Sequence, residues 1–210
     1  MVEDYKLSFT SASLLVNDSI KVAELYSETN DWANTKEIIL KENILQRKKE
    51  CTIVRELQEI RHRLNTLTKK QLHLLLNSNI ETQKLILFLA VCKYYAYIRE
   101  FTLEVLRQKL ILFDSQLYDS DYDKFYAQKS NSSDKLNRIS ENTQEKIKRV
   151  LFTILWQAGI INSVKSKIIQ LPFLTAKLIE SVVIEDPDNL KIFLVSDKDI
   201  KIYAKKYGKS

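Results

Sequence analysis

Apolar residues step by three and four along most of this chain. Ile53, Leu57, Ile60 and Leu64 recur on one face through a charged background, the 3.6-residue period of an amphipathic helix. Ile147, Val150, Leu151, Ile154, Leu155 and Ala158 extend the same pattern, and Gly159 stands where a left-handed C-terminal cap belongs. Thr68 to Gln71 reads as a capping box. Ser120 and Ser196 each place a hydroxyl ahead of an acidic first turn, and Pro187 sits at a first helical position after Asp186. The pattern predicts helices over 11–28, 32–44, 49–65, 69–77, 80–112 with one break, 120–129, 140–158, 174–183, 187–193 and 197–205. The fold class is mainly α, a compact multi-helix bundle.

Two stretches depart from this period. Ile160-Ile161 and Lys167 to Leu171, ahead of Pro172, suit either a short β-hairpin within 160–172 or an irregular loop. A hairpin there would give a winged-helix-like element with lysines on its wing. Ser130 to Asp134 is the most polar and least patterned run, and divides the chain into an N-terminal helical part, 1–115, and a C-terminal one, 116–210, which can also pack as one unit. The apolar run Leu85 to Cys92 ends at Lys93, too short for the roughly 20 residues of a membrane span, and reads as a helix buried on all sides.

Composition narrows the chemistry. Only two glycines occur in 210 residues, so no phosphate-binding loop, dinucleotide-binding turn or G-x-S-x-G nucleophile elbow can be written. Cys51, Cys92, His62 and His73 have no metal-ligand spacing, and two free thiols fit a reduced, cytoplasmic protein. Asp119, Asp121 and Asp123 cluster, but a helix first turn accounts for them without a metal. No catalytic residue, cofactor, metal, membrane contact or small-molecule ligand is expected.

Charge points towards a polyanion. The net charge is +6, and it is segregated. Residues 36–70 hold ten Lys/Arg against five Glu, and residues 135–177 hold eight against two. Candidate phosphate-binding residues are Arg47, Lys48, Lys49, Arg61, Arg63, Lys69 and Lys70 in one patch, and Lys146, Lys148, Arg149, Lys165 and Lys167 in another. Solvated helix faces of mixed charge are the plain alternative. Arg61-His62-Arg63 reads as a solvated or phosphate-touching face beside the buried Ile60 and Leu64. Tyr94, Tyr95, Tyr97 and Trp156 read as core, His73 as partly buried, and Tyr203 and Tyr207 as exposed.

Several blocks also resemble the BrxA family of BREX phage-defence systems. They are Tyr5 to Leu15, Ile20 to Tyr26 with Asp31-Trp32, Leu67 to Leu72, Tyr97 to Phe101, Glu104 to Lys109, and the stretch from Thr143 through Ile147 and Leu151 to Gly159. Their order, rather than any one motif, carries the resemblance, which covers nearly the whole chain. It implies a bacterial accessory protein encoded beside a methyltransferase and an ATPase, a fold like that of the antitermination factor NusB, and double-stranded DNA binding without catalysis. Other BREX components are the implied protein partners. A protein–protein adaptor and an RNA-binding NusB-like protein are the competing readings. Ala12 and Ser13 stand where family members often have glycines.

Overall fold

The computed structural model describes residues 5–208. A 3₁₀ turn, Ser8–Ser11, leads into α1 (Val16–Thr29), α2 (Trp32–Glu42), α3 (Glu50–Leu64), α4 (Lys69–Leu76) and α5 (Ile80–Tyr94). Then follow α6 (Ala96–Phe101), a π-helical turn (Thr102–Leu106), α7 (Arg107–Ile111), α8 (Asp119–Ser130), α9 (Asp134–Asn137) and α10 (Glu141–Gln157). Helix α11 (Ala176–Val183), a 3₁₀ segment (Pro187–Phe193) and α12 (Asp197–Tyr207) complete the described chain. The mainly α expectation holds, and no β-sheet forms among the described residues.

Helix α5 is the axis of the molecule. Leu85 to Cys92 are buried on every side, as the unbroken apolar run requires, and α1, α3, α4, α6 and the 187–193 segment pack around it. Full burial of each large side chain stabilises by about 1.5–3 kcal/mol, so this helix is the main hydrophobic anchor. The predicted break falls at Tyr95, whose extended backbone (φ −114°, ψ 97°) ends α5 and starts α6. One hydrophobic cluster runs from Tyr5 to Ile200, with Phe9, Tyr97, Phe101, Tyr122, Phe125 and Phe152 meeting edge-on or stacked within it.

Capping chemistry sets the helix ends. Thr68 Oγ1 accepts the Gln71 amide at 3.2 Å while Gln71 Oε1 accepts the Thr68 amide at 3.0 Å, the box expected from sequence. Ser196 caps α12 as expected. Ser120 does not cap α8: the helix starts one residue earlier, and Asp121 accepts the Tyr118 amide instead, at 2.8 Å. The Asp186-Pro187 start holds, but the segment winds as 3₁₀ rather than α. Helix α1 starts at Val16 rather than near 11, because Arg63 holds Ala12 and Ser13 as extended chain and Leu15 turns through φ 52°. Ser130 to Asp134 is also ordered, with Ser133 buried and capping α9.

The 160–172 segment closes on itself as a rudimentary hairpin, the Asn162 amide donating to Ile168 O (3.0 Å) and the Gln170 amide to Ile160 O (2.8 Å), without forming a sheet. One isolated antiparallel bridge, Ile161–Ile169, joins its two arms, and a second, Gln116–Ile168, lays it across the chain that enters α8. At the end of α10 the Gly159 amide donates to Trp156 O (3.0 Å) and the Ile160 amide to Leu155 O (2.9 Å), with Gly159 at φ +75°. This is a Schellman closure with Ile160 and Leu155 both buried beneath it.

Two tests follow from this packing. Open space surrounds the Cα of Gly159, so Gly159→Ala meets only the left-handed strain and is expected to lower stability by about 1–2 kcal/mol in denaturant unfolding, with Gly159→Asn losing less. The phenols of Tyr95, Tyr97 and Tyr122 are pushed above their ordinary pKa of 10.0, chiefly by burial. The unfolded chain therefore releases these protons first, and stability is retained below about pH 10 and lost above it. Tyrosinate absorbance in an alkaline titration should rise cooperatively with loss of helix, not before it.

Candidate functional site: cations, a buried arginine and an apolar loop

The twelve candidate cations fall into two groups. Lys48, Lys49, Arg61, Lys69, Lys146, Arg149 and Lys165 are exposed and have no carboxylate within ion-pair distance among the described residues. The other five are engaged. Arg47 bonds Asp18 (2.6 Å) and Glu56 (2.8 Å), and Lys70 bonds Glu180 (2.5 Å). Lys148 lies 3.0 Å from Asp123, and Lys167 lies 3.3 Å from Asp119 with its ammonium over the Phe152 ring. Partial burial works to lower the Lys148 pKa, but Asp123 and Asp119 hold it above the ordinary value, so its charge is permanent and internally neutralised. Asp119 reaches both Lys148 (3.7 Å) and Lys167, which joins α10 to the 163–167 turn and puts those two segments on one surface.

The first set is spread out. Lys49 and Arg61 bracket α3, and at 1.5 Å per residue they stand about 18 Å apart, with the exposed Arg55 between them. Lys48 and Lys49 thus belong to the α2–α3 corner, whereas Arg61 and Lys69 belong to the α3–α4 corner.

Arg63 is not at the surface at all. It is 2% exposed, and its guanidinium donates to Ser13 O (2.5 Å) and Ala12 O (2.9 Å). Glu59, one turn back on α3, lies 3.7 Å away and also accepts from the Tyr95 hydroxyl, to which Ser8 is bonded in turn. The sequence signal was present: Glu59 and Arg63 are spaced i, i+4, each beside a member of the apolar stripe, Ile60 and Leu64. Of the Arg61-His62-Arg63 triplet, only Arg61 faces solvent freely. His62 is half-buried, its ring stacked on Tyr94 at 5.2 Å.

Other side chains depart from expectation too. Trp156 is 48% exposed rather than core, because it sits opposite the Ile154–Leu155 face of α10. Tyr203 and Tyr207 are half-buried against the core, and His73 is exposed on α4. Cys51 is exposed and Cys92 buried, and no three His, Cys, Asp or Glu converge on a metal position among the described residues. No helix among the described residues is long and apolar enough to cross a membrane.

Sequence reasoning missed an exposed apolar ridge. Ile111, Leu112 and Phe113 end α7, and Leu171 and Phe173 follow the 160–170 crossing. Phe113 is 98% exposed at φ 58°, and Phe173 is 86% exposed. Ile111, Phe113 and Leu171 line a cavity of about 480 Å³ together with Leu110, Leu194 and Val195, whereas Phe173 borders a different one.

These features define an all-α protein with unpaired surface cations, a polar lock inside its core and an apolar ridge. The sequence profile of the BrxA family matches residues 3–184, and the chain belongs to that family. The chain is 27% identical to the BREX protein BrxA of Bacillus cereus (strain H3081.97) over 179 residues, 85% of this chain and 90% of that one. The crystal structure of an uncharacterized protein from Magnetospirillum magneticum shares the fold, with a TM-score of 0.79 over 90% of this chain and 97% of that chain, at 20% identity.

Breaking one side of a buried charge pair leaves the other uncompensated, at a cost of about 3–5 kcal/mol. Arg63→Ala and Glu59→Ala are each expected to lose that much in denaturant unfolding. The double variant Glu59→Leu with Arg63→Met should lose less than the sum of the two.

Proposed function

We propose that this protein is a non-catalytic accessory component of a BREX-type phage-defence system and docks on double-stranded DNA through its unpaired cations. The observation that carries the reading is the division of its lysines and arginines. Seven of the twelve candidates are exposed without a carboxylate partner, while the acidic side chains nearest the other five are already spent on ion pairs. Each free cation that replaces a condensed counterion on the duplex adds favourable, salt-dependent free energy. Similarity to a relative named for the same defence system supports the biological setting.

Two surfaces are candidates: the α2–α3 corner with Lys48 and Lys49, and the α10 surface with Lys146, Arg149 and Lys165. Base readout has no assigned element, so contact is to phosphates and independent of sequence. Fluorescence anisotropy with a labelled duplex across a salt series tests this. Lys48→Gln/Lys49→Gln and Lys146→Gln/Arg149→Gln/Lys165→Gln should each weaken binding, and should flatten the slope of log K against log salt by about 0.9 per contact removed. Folded variants that both keep the parent affinity and slope would refute phosphate docking at these surfaces.

The apolar ridge favours a second reading, a protein adaptor within the same defence system. Exposed apolar surface gathered in one place marks protein-binding sites, and the exposed Ile111, Phe113 and Leu171 line one cavity, with the exposed Phe173 two residues further along the chain. Co-purification with the other components of the system separates the two readings. A stoichiometric complex lost on Phe113→Asp/Phe173→Asp, in a protein without duplex affinity, would establish the adaptor instead.

A further inference from the structure

Helices α2 and α3 enclose a pocket of about 210 Å³. Its walls are Trp32, Val54 and Leu57, and its rim is Lys36, Gln58, Arg61 and His62. Trp32 is fixed on two sides. Its ring stacks on Tyr26 at 4.0 Å and 15°, and its indole N–H donates to Asn65 Oδ1 at 3.1 Å. The Arg61 guanidinium stands over the indole at a looser 5.6 Å. Lys36 and Arg61 are exposed and held by no carboxylate among the described residues, because the acids closest along α3, Glu56 and Glu59, are taken by Arg47 and Arg63. Asp31 is likewise committed, accepting the amides of Ala33 and Asn34. His62 adds a ring nitrogen, Nδ1, that is shut from solvent and has no hydrogen-bond partner.

We propose that this pocket binds one unpaired nucleotide, with the base displacing the exposed Arg61 guanidinium from Trp32 and the phosphate held by Arg61 and Lys36. Three features select that ligand. A rigid indole, backed by Tyr26 and covered otherwise only by an exposed, displaceable arginine, makes a stacking platform for any heteroaromatic ring. Two unpaired cations at the rim suit a phosphate, and Gln58 offers both a donor and an acceptor to a ring edge. The volume falls below the roughly 300 Å³ at which pockets enclose a whole drug-sized ligand, so one ring enters and the charged remainder stays at the rim. A base stacked and paired within a duplex cannot reach Trp32. The site therefore goes beyond duplex docking, and takes either a free nucleotide or an unpaired position in a strand.

The test uses the full chain carrying Trp156→Phe, so that Trp32 alone reports by fluorescence. Saturable quenching by dAMP is expected, with deoxyadenosine and inorganic phosphate each binding at least about tenfold more weakly than the nucleotide that joins them. Arg61→Gln and Lys36→Gln, both surface changes, should each weaken dAMP by several-fold. A duplex with a single-stranded overhang that quenches at lower concentration than dAMP identifies an unpaired strand as the source. Quenching by dAMP with none from the overhang identifies the free nucleotide. Absence of saturable quenching by dAMP and by the overhang, or identical titrations for the parent and both variants, overturns the site. A blunt duplex that binds in anisotropy without affecting Trp32 in that case leaves duplex docking standing.

Discussion

The Arg63 guanidinium, buried beneath the N-terminal segment, is the contact on which the arrangement around α3 depends. Residues 12–15 have no helix or sheet to satisfy their backbone, and Arg63 supplies donors to the carbonyls of Ala12 and Ser13. Its charge is balanced by Glu59, which also accepts a hydrogen bond from the hydroxyl of Tyr95, the residue at which α5 gives way to α6. One polar lock therefore ties the chain start, α3 and the central helix break together. An apolar side chain at position 63 could fill the space but could not serve those carbonyls.

This lock shapes the surface as well. It draws Arg63 inward and occupies Glu59, while Arg47 occupies Glu56. The outer face of α3 is left with Arg55 and Arg61 and few acids to quench them. Around α10 and the 163–167 turn, Asp119 and Asp123 neutralise Lys148 and Lys167 but leave Lys146, Arg149 and Lys165 free. The protein thus spends about half its candidate cations on holding helices together. Only the rest are available to a polyanion, and the effective charge is set by the fold rather than by the count of basic residues.

Much of the fold was legible because it rests on short-range rules. The apolar run of α5, the stripe of α10, the Thr68–Gln71 box and the Gly159 cap depend on residues a few positions apart, and each appears in the expected place. The misses have a common cause: their determinants lie far along the chain. Arg63 is buried by carbonyls fifty positions away, Ala12 and Ser13 are held by that same arginine, and the 160–170 segment, besides folding on itself, is tied to residues 115–117. The candidate site was legible only as a set of basic residues. Which of them are free depends on Asp18, Asp119, Asp123 and Glu180, whose distances no periodicity reveals. The ridge at Phe113 and Phe173 was hidden for the opposite reason, since an isolated apolar residue near a helix end reads as core.

Amine-reactive footprinting with and without a duplex bears most directly on the division between free and spent cations. The account predicts that duplex binding protects Lys48 and Lys49, or Lys146 and Lys165, while the reactivity of the ion-paired Lys70 and Lys167 is unchanged by the duplex. Protection confined to the ion-paired lysines, or a footprint unaltered by duplex, would contradict it.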